Sequence, residues 1–151
     1  MSKRINYVIL EIKDQYLIED NLRPWIIGFS GGKDSTALLQ LVWLALEQIP
    51  QELRKREIHV ICNDTLVENP IIKEYVDDVL KKIEQIAVQR DMPISVEKTT
   101  PRLEDSFWVN VVGRGYPVPN NSFRWCTDKL KIKPTSRYIV EQVDKSGETI
   151  I

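Results

Sequence analysis

Apolar positions recur along this chain at two different periods. Within residues 4–19, Ile5, Val8, Ile9, Ile12, Tyr16 and Leu17 fall at three- and four-residue steps among charges, which predicts an amphipathic helix. Pro24 then introduces the unbroken apolar run Trp25-Ile26-Ile27-Gly28-Phe29, the pattern of a buried strand. A turn, Ser30-Gly31-Gly32-Lys33-Asp34-Ser35, separates it from a Leu- and Ala-rich stretch, Thr36 to Gln48, that predicts a helix apolar on most faces and ended by Pro50.

The alternation repeats further on. Ile58-His59-Val60-Ile61-Cys62 predicts a second strand, nearly all apolar as central parallel strands are. Asn69-Pro70 supplies a capping side chain followed by proline at the first helical position. The helix after it carries Ile72, Tyr75, Val76, Val79, Ile83 and Ile86 on one stripe. Pro93 precedes an alternating third strand, Ile94 to Lys98. Leu103 to Val112 predicts a helix, Gly113 to Asn121 a loop, and helices resume over Arg124–Leu130 and Thr135–Val143. Ser146-Gly147 turns into Glu148-Thr149-Ile150-Ile151, which predicts the opening of another strand. Strands alternating with helices specify an α/β fold: a doubly wound parallel sheet with helices on both faces and right-handed crossovers.

At 151 residues the chain suits one domain, divided here into an N-terminal amphipathic helix at 1–23 and an α/β domain at 24–151 that ends in an unfinished strand. That ending predicts the N-terminal portion of a larger protein. Lysine plus arginine number 21 against 22 acidic residues, a net charge of -1, which excludes a globally basic nucleic-acid binder but not a local patch. Such a patch exists: Arg124, Lys129, Lys131 and Lys133 put four cations within ten residues, able to hold nucleotide phosphates or a nucleic-acid backbone. Two cysteines, Cys62 and Cys126, cannot build a disulfide framework, so a reducing cytoplasm is expected. Charges throughout the first fifteen residues argue against a signal peptide or a membrane span.

The chemistry concentrates between the first strand and its helix. Two adjacent glycines, Gly31 and Gly32, let the backbone turn sharply and aim several N–H groups at an anion, and the helix N-terminus adds partial positive charge there. Hydroxyls of Ser30, Ser35 and Thr36 can donate to phosphate oxygens, and Lys33 adds a formal charge. A Walker A loop is excluded twice: it would need glycine where Ile27 stands and a hydroxyl residue where Asp34 follows Lys33.

The segment resembles the SGGxDS signature of the PP-loop ATP pyrophosphatases, enzymes that split ATP between its α and β phosphates and adenylate a substrate. Cys62-Asn63-Asp64-Thr65 at the end of the second strand resembles the nucleotide-contacting Asp-Thr motif of the sulfonucleotide (PAPS) reductase branch. Arg124-Trp125-Cys126-Thr127 resembles that branch's Arg-x-Cys-Cys stretch, except that Thr127 replaces the second cysteine. The run from Gly28 to Val143, about three-quarters of the chain, is most similar to the DndC-like family of DNA-phosphorothioation ATP pyrophosphatases. Its closest segments are Asp64 to Glu68, Gly113 to Pro117 and Phe123 to Thr127.

This resemblance implies ATP and Mg²⁺ as ligands and a DNA backbone phosphate as the target for sulfur. It also implies a cysteine desulfurase and other DNA sulfur-modification proteins as partners, with no membrane. By it, Lys33 neutralises charge on the departing pyrophosphate, Asp34 places Mg²⁺, and Asp64 contacts the nucleoside or a metal, with Thr65 beside it on the nucleotide. Arg124 and Lys129 neutralise the α-phosphate or the target. An iron–sulfur cluster is also implied, with Cys126 as the candidate ligand here; a four-iron cluster takes four thiolates, so the others would come from beyond this chain. Two other functions are weighed: a sulfonucleotide reductase, and a non-catalytic nucleotide-binding module that recruits partners.

Other residues read blandly. His59, the only histidine, lies inside a strand and reads as structural; Cys62 reads as a small buried hydrophobe. Trp25, Trp43, Trp108 and Trp125 read as core or rim packing, and Glu52 to Glu57 as a solvated connection.

Overall fold

The computed structural model of the chain describes residues 3–18 and 23–146; the strand expected at 148–151 lies outside the described residues. Eight elements frame the fold: α1 (Lys3–Tyr16), β1 (Trp25–Gly28), α2 (Lys33–Glu47), β2 (Ile58–Asn63), α3 (Pro70–Gln89), β3 (Ile94–Thr99), α4 (Trp125–Thr127) and α5 (Lys133–Ser146). The strands form a parallel sheet in the order β1-β2-β3, with Ile27 opposite Val60 and Val60 opposite Val96. β2 is central and buried along nearly its whole length, which is why its sequence is a continuous apolar run.

Right-handed crossovers put α2 and α3 on the same face. There Leu39, Val42 and Leu46 of α2 and Val76, Leu80 and Ala87 of α3 close over Ile27, Ile58, Val60 and Cys62. α5 covers the opposite face: the ring of its Tyr138 meets His59 of β2 edge-on at 6.0 Å. Helices on both faces make the sheet doubly wound, as the alternation of elements predicts. His59 is structural here, its Nδ1 lying 2.8 Å from Ser95 Oγ on the neighbouring strand.

Several local expectations change. α2 begins at Lys33, so the second half of the predicted turn is helix: Gly32 caps it in extended backbone, and the Thr36 N–H donates to its carbonyl at 3.0 Å. Leu103 to Val112 is not one helix but a 3₁₀ turn at Leu103–Asp105 and a π turn at Val109–Gly113. A second π turn, Asp128–Ile132, joins α4 to α5 where Pro134, lacking an N–H, cannot donate back to Leu130. The helical run is therefore continuous across the predicted break at 131–134.

The connection at 52–57 is not wholly solvated, because Arg56 is 3% exposed. Its guanidinium donates to the carbonyls of Gln15 (3.2 Å) and Ile18 (3.2 Å) and lies over the rings of Tyr16 and Trp25. The Tyr16 hydroxyl in turn donates to the Arg56 carbonyl at 2.7 Å. Only Ile9 and Tyr16 of the α1 stripe are buried; Ile5, Val8 and Leu17 face outward.

Candidate functional site

The carboxyl ends of the three strands open into one cleft of about 300 Å³. Gly28, Phe29 and Ser30 contribute from β1 and the loop after it, Asn63 and Asp64 from β2, and Lys98 from β3. This is where open parallel sheets bind ligands. Nothing lies within 4 Å of where a Gly28 side chain would stand, so the cleft reaches the sheet backbone itself.

The glycine loop is built by its own side chains. Ser35 Oγ donates to the Gly32 carbonyl at 3.0 Å and receives the Ser30 N–H at 3.3 Å, with Ser30 Oγ also 3.3 Å away. Gly31 has φ +72°, and a Cβ there would sit 2.7 Å from Val76 Cγ2 on α3. Both its conformation and its closeness to α3 require glycine. Lys33 and Asp34 stand exposed on the first turn of α2, beside its positive end.

Asp64 is the buried charge of the cleft. Its Oδ1 accepts the Leu66 N–H at 2.9 Å, while Oδ2 accepts from Lys73 of α3 and lies 3.5 Å from Lys98. Burial opposes its ionisation, but these hydrogen bonds and the two ammonium groups outweigh it and hold the carboxyl below the usual range. Lys98 also donates to Asp77 at 2.7 Å, a bond that pushes its ammonium pKa up. The turn beyond Asp64 places Leu66 at φ +63°, a left-handed conformation beside the site. Burial pushes the Cys62 thiol up, so it stays protonated.

Of the residues singled out in the sequence, Ser30, Cys62, Asp64 and Lys131 line the cleft, and Gly31 to Thr36 continue from Ser30 along its loop and helix. Thr65 is buried and donates to Glu68 at 2.8 Å, at the cleft's side but not in its lining. Lys129 does not reach the cleft; it donates to Asp105 at 2.8 Å and lies over the Tyr116 ring. That bond, against a smaller opposing effect of burial, holds the Asp105 carboxyl down. Arg124 is exposed and also lies outside the lining.

Sequence reasoning missed Lys73 and Lys98, which line the cleft together with Lys131 of the basic patch. Lys73 reads there as a polar position beside an apolar stripe, and Lys98 as the end of a strand. Only the right-handed crossover through α3 brings the two onto Asp64.

Cys62 and Cys126 are free thiols, the first buried against the core and the second half-buried. Among the described residues no three His, Cys, Asp or Glu side chains converge as a metal set. The two thiols of this chain do not by themselves fit an iron–sulfur cluster. Among the described residues no helix is long and apolar enough to cross a membrane.

Residues 24–146 match the family described as the phosphoadenosine phosphosulfate reductase domain. The chain is also 29% identical over 133 residues to an uncharacterized protein of Methanocaldococcus jannaschii (MJ0066). That alignment covers 88% of this chain and 23% of the other, so the chain spans about a quarter of its relative's length.

Proposed function

The chain belongs to the phosphoadenosine phosphosulfate reductase domain family, a membership that supports a nucleotide-utilising enzyme, and within it we propose an ATP pyrophosphatase that adenylates its target. The observation that carries this reading is the loop Ser30–Ser35. Its hydroxyls and left-handed Gly31 form an anion cradle at the head of α2, adjoining the lysine-lined cleft at the carboxyl edge of the sheet.

In the proposed reaction an oxygen of the target attacks the α-phosphorus of ATP, the α–β bridge bond breaks, and pyrophosphate leaves. The new bond joins target and AMP. Ser30, Ser35 and the loop amides hold the β and γ phosphates, and Lys33 neutralises the charge that grows on the departing pyrophosphate. Asp34, beside the loop, is the carboxylate that would hold Mg²⁺, which supplies further charge neutralisation when bound. Lys73, Lys98 and Lys131 take the charge-neutralising place in the cleft that was expected of Arg124 and Lys129. Asp64 meets the nucleoside from a fixed orientation, because three donors already hold it. By family resemblance the target is a DNA backbone phosphate, with sulfur delivered by a cysteine desulfurase in the cytoplasm.

A sulfonucleotide reductase is the second reading, favoured by the description of the family itself. Pyrophosphate release from ATP separates the two. We expect release by the wild type and a loss of about a hundredfold or more in Lys33→Ala and Asp34→Ala. ATP binding without any release sinks the enzyme proposal, and sulfite formation from a phosphosulfate nucleotide with a thiol reductant transfers the assignment to the reductase.

A further inference from the structure

Beyond the nucleotide cleft, residues 102–133 form a surface of a different character. The segment carries six Lys or Arg residues against three acidic ones, in a chain whose net charge is -1. It is built around touching aromatic rings. Trp108 meets Phe107 at 5.2 Å, Phe107 stacks on Trp125 at 5.7 Å, Trp125 meets Tyr116 at 5.6 Å, and Tyr116 meets Phe123 at 6.4 Å. The middle of this chain of rings is held down: Trp125 is buried and donates its indole N–H to the Pro117 carbonyl. The two ends are not. Trp108 is 62% exposed and Phe123 43% exposed, although large aromatics ordinarily bury most of their surface.

Hydrogen-bonded turns carry both ends. Trp108 stands at the start of the π turn Val109–Gly113, whose Asn110 is wholly buried and bonded to the Glu104 and Ser106 carbonyls. Phe123 is presented by a tight turn in which Asn120 Oδ1 accepts the N–H groups of Ser122 and Phe123, each at 2.9 Å. Arg114 donates to Asn110 Oδ1 at 3.3 Å, and the other five cations sort into two groups. Lys129 and Lys133 are paired with Asp105. Arg102, Arg124 and Lys131 make no ion pair among the described residues, and Arg124 adjoins Phe123. Lys131 also lines the nucleotide cleft, so platform and cleft share a border.

We infer that this face binds a single-stranded nucleic acid, with bases stacking on Trp108 and Phe123 and the sugar–phosphate backbone following Arg102, Arg124 and Lys131. Exposed rings flanked by unpaired cations match the two surfaces of an unpaired strand, its base faces and its phosphates. A duplex hides its base faces and offers the rings nothing. The inference deepens the target named above by giving its strandedness and its seat. Apart from Lys131 it stands on other residues, so either can fail alone.

The test is anisotropy of a labelled oligothymidylate titrated with the 151-residue chain without ATP, at several salt concentrations. The single strand should bind more tightly than a duplex of equal length or inorganic polyphosphate. Trp108→Ala and Phe123→Ala should each weaken it about tenfold, while Trp108→Phe keeps most of the affinity. Arg124→Ala should weaken binding and flatten its salt dependence. A far-ultraviolet dichroism spectrum and a denaturant midpoint like the wild type's show that Trp108→Ala and Phe123→Ala are folded. Absence of binding overturns the inference, as does binding that duplex and polyphosphate match or that both aromatic variants leave unaltered.

Discussion

An alanine at position 31 meets two penalties at once. The backbone there has φ +72°, and the new methyl carbon would lie 2.7 Å from Val76 Cγ2. Together these should destabilise Gly31→Ala by about 2–4 kcal/mol in denaturant unfolding. The same change made in a Val76→Ala background should cost at least about 1 kcal/mol less, since only the overlap is relieved. Equal costs in the two backgrounds would show that Val76 is not what confines the loop. This position was legible in the sequence, because two glycines between a strand and a helix advertise a special turn. The lysines around Asp64 were not. Lys73 and Lys98 are 25 positions apart, and no local pattern marks residues that meet only through the crossover between their elements.

The elements were easier to read where capping chemistry or continuous burial marked them. Asn69 Oδ1 accepts the Ile71 N–H at 2.9 Å and Pro70 opens α3, as the dipeptide predicts. Asn69→Ala should therefore cost about 1 kcal/mol of stability, measured by the shift of the denaturant midpoint at unchanged slope. A cost near zero would mean that Pro70 alone starts the helix. Elsewhere the helical period misled. Leu103 to Val112 has helical spacing, yet the buried Asn110 takes the carbonyls of Glu104 and Ser106 and the backbone settles into 3₁₀ and π turns. The predicted helices left a gap at 131–134, but a wider turn bridges it and absorbs the missing N–H of Pro134. A buried side chain bonded to backbone carbonyls marks the first case and a missing backbone donor the second, and apolar periodicity records neither.

Across the whole molecule, a near-neutral total conceals a division of labour. One cleft gathers opposite charges around Asp64, while the 102–133 face keeps unpaired cations beside its open rings. The α/β order and the strands of the sheet were legible because the central strand is buried along nearly its whole length and the edge strand β3 alternates. The burial of Arg56 was not, because a charged residue in a charged stretch gives no hint of the carbonyls awaiting it. That residue bears on where the molecule can be cut. The family match begins at residue 24, yet Arg56 and Trp25 are roofed by Tyr16, and Ile9 lies in the core. Homology and folding autonomy thus have different borders. A chain begun at residue 24 forfeits the burial of Ile9 and Tyr16, on the order of 4 kcal/mol, and should show a much lower denaturant midpoint than the full chain. Matching midpoints would make α1 a passenger; a collapse would make it part of the smallest unit that folds.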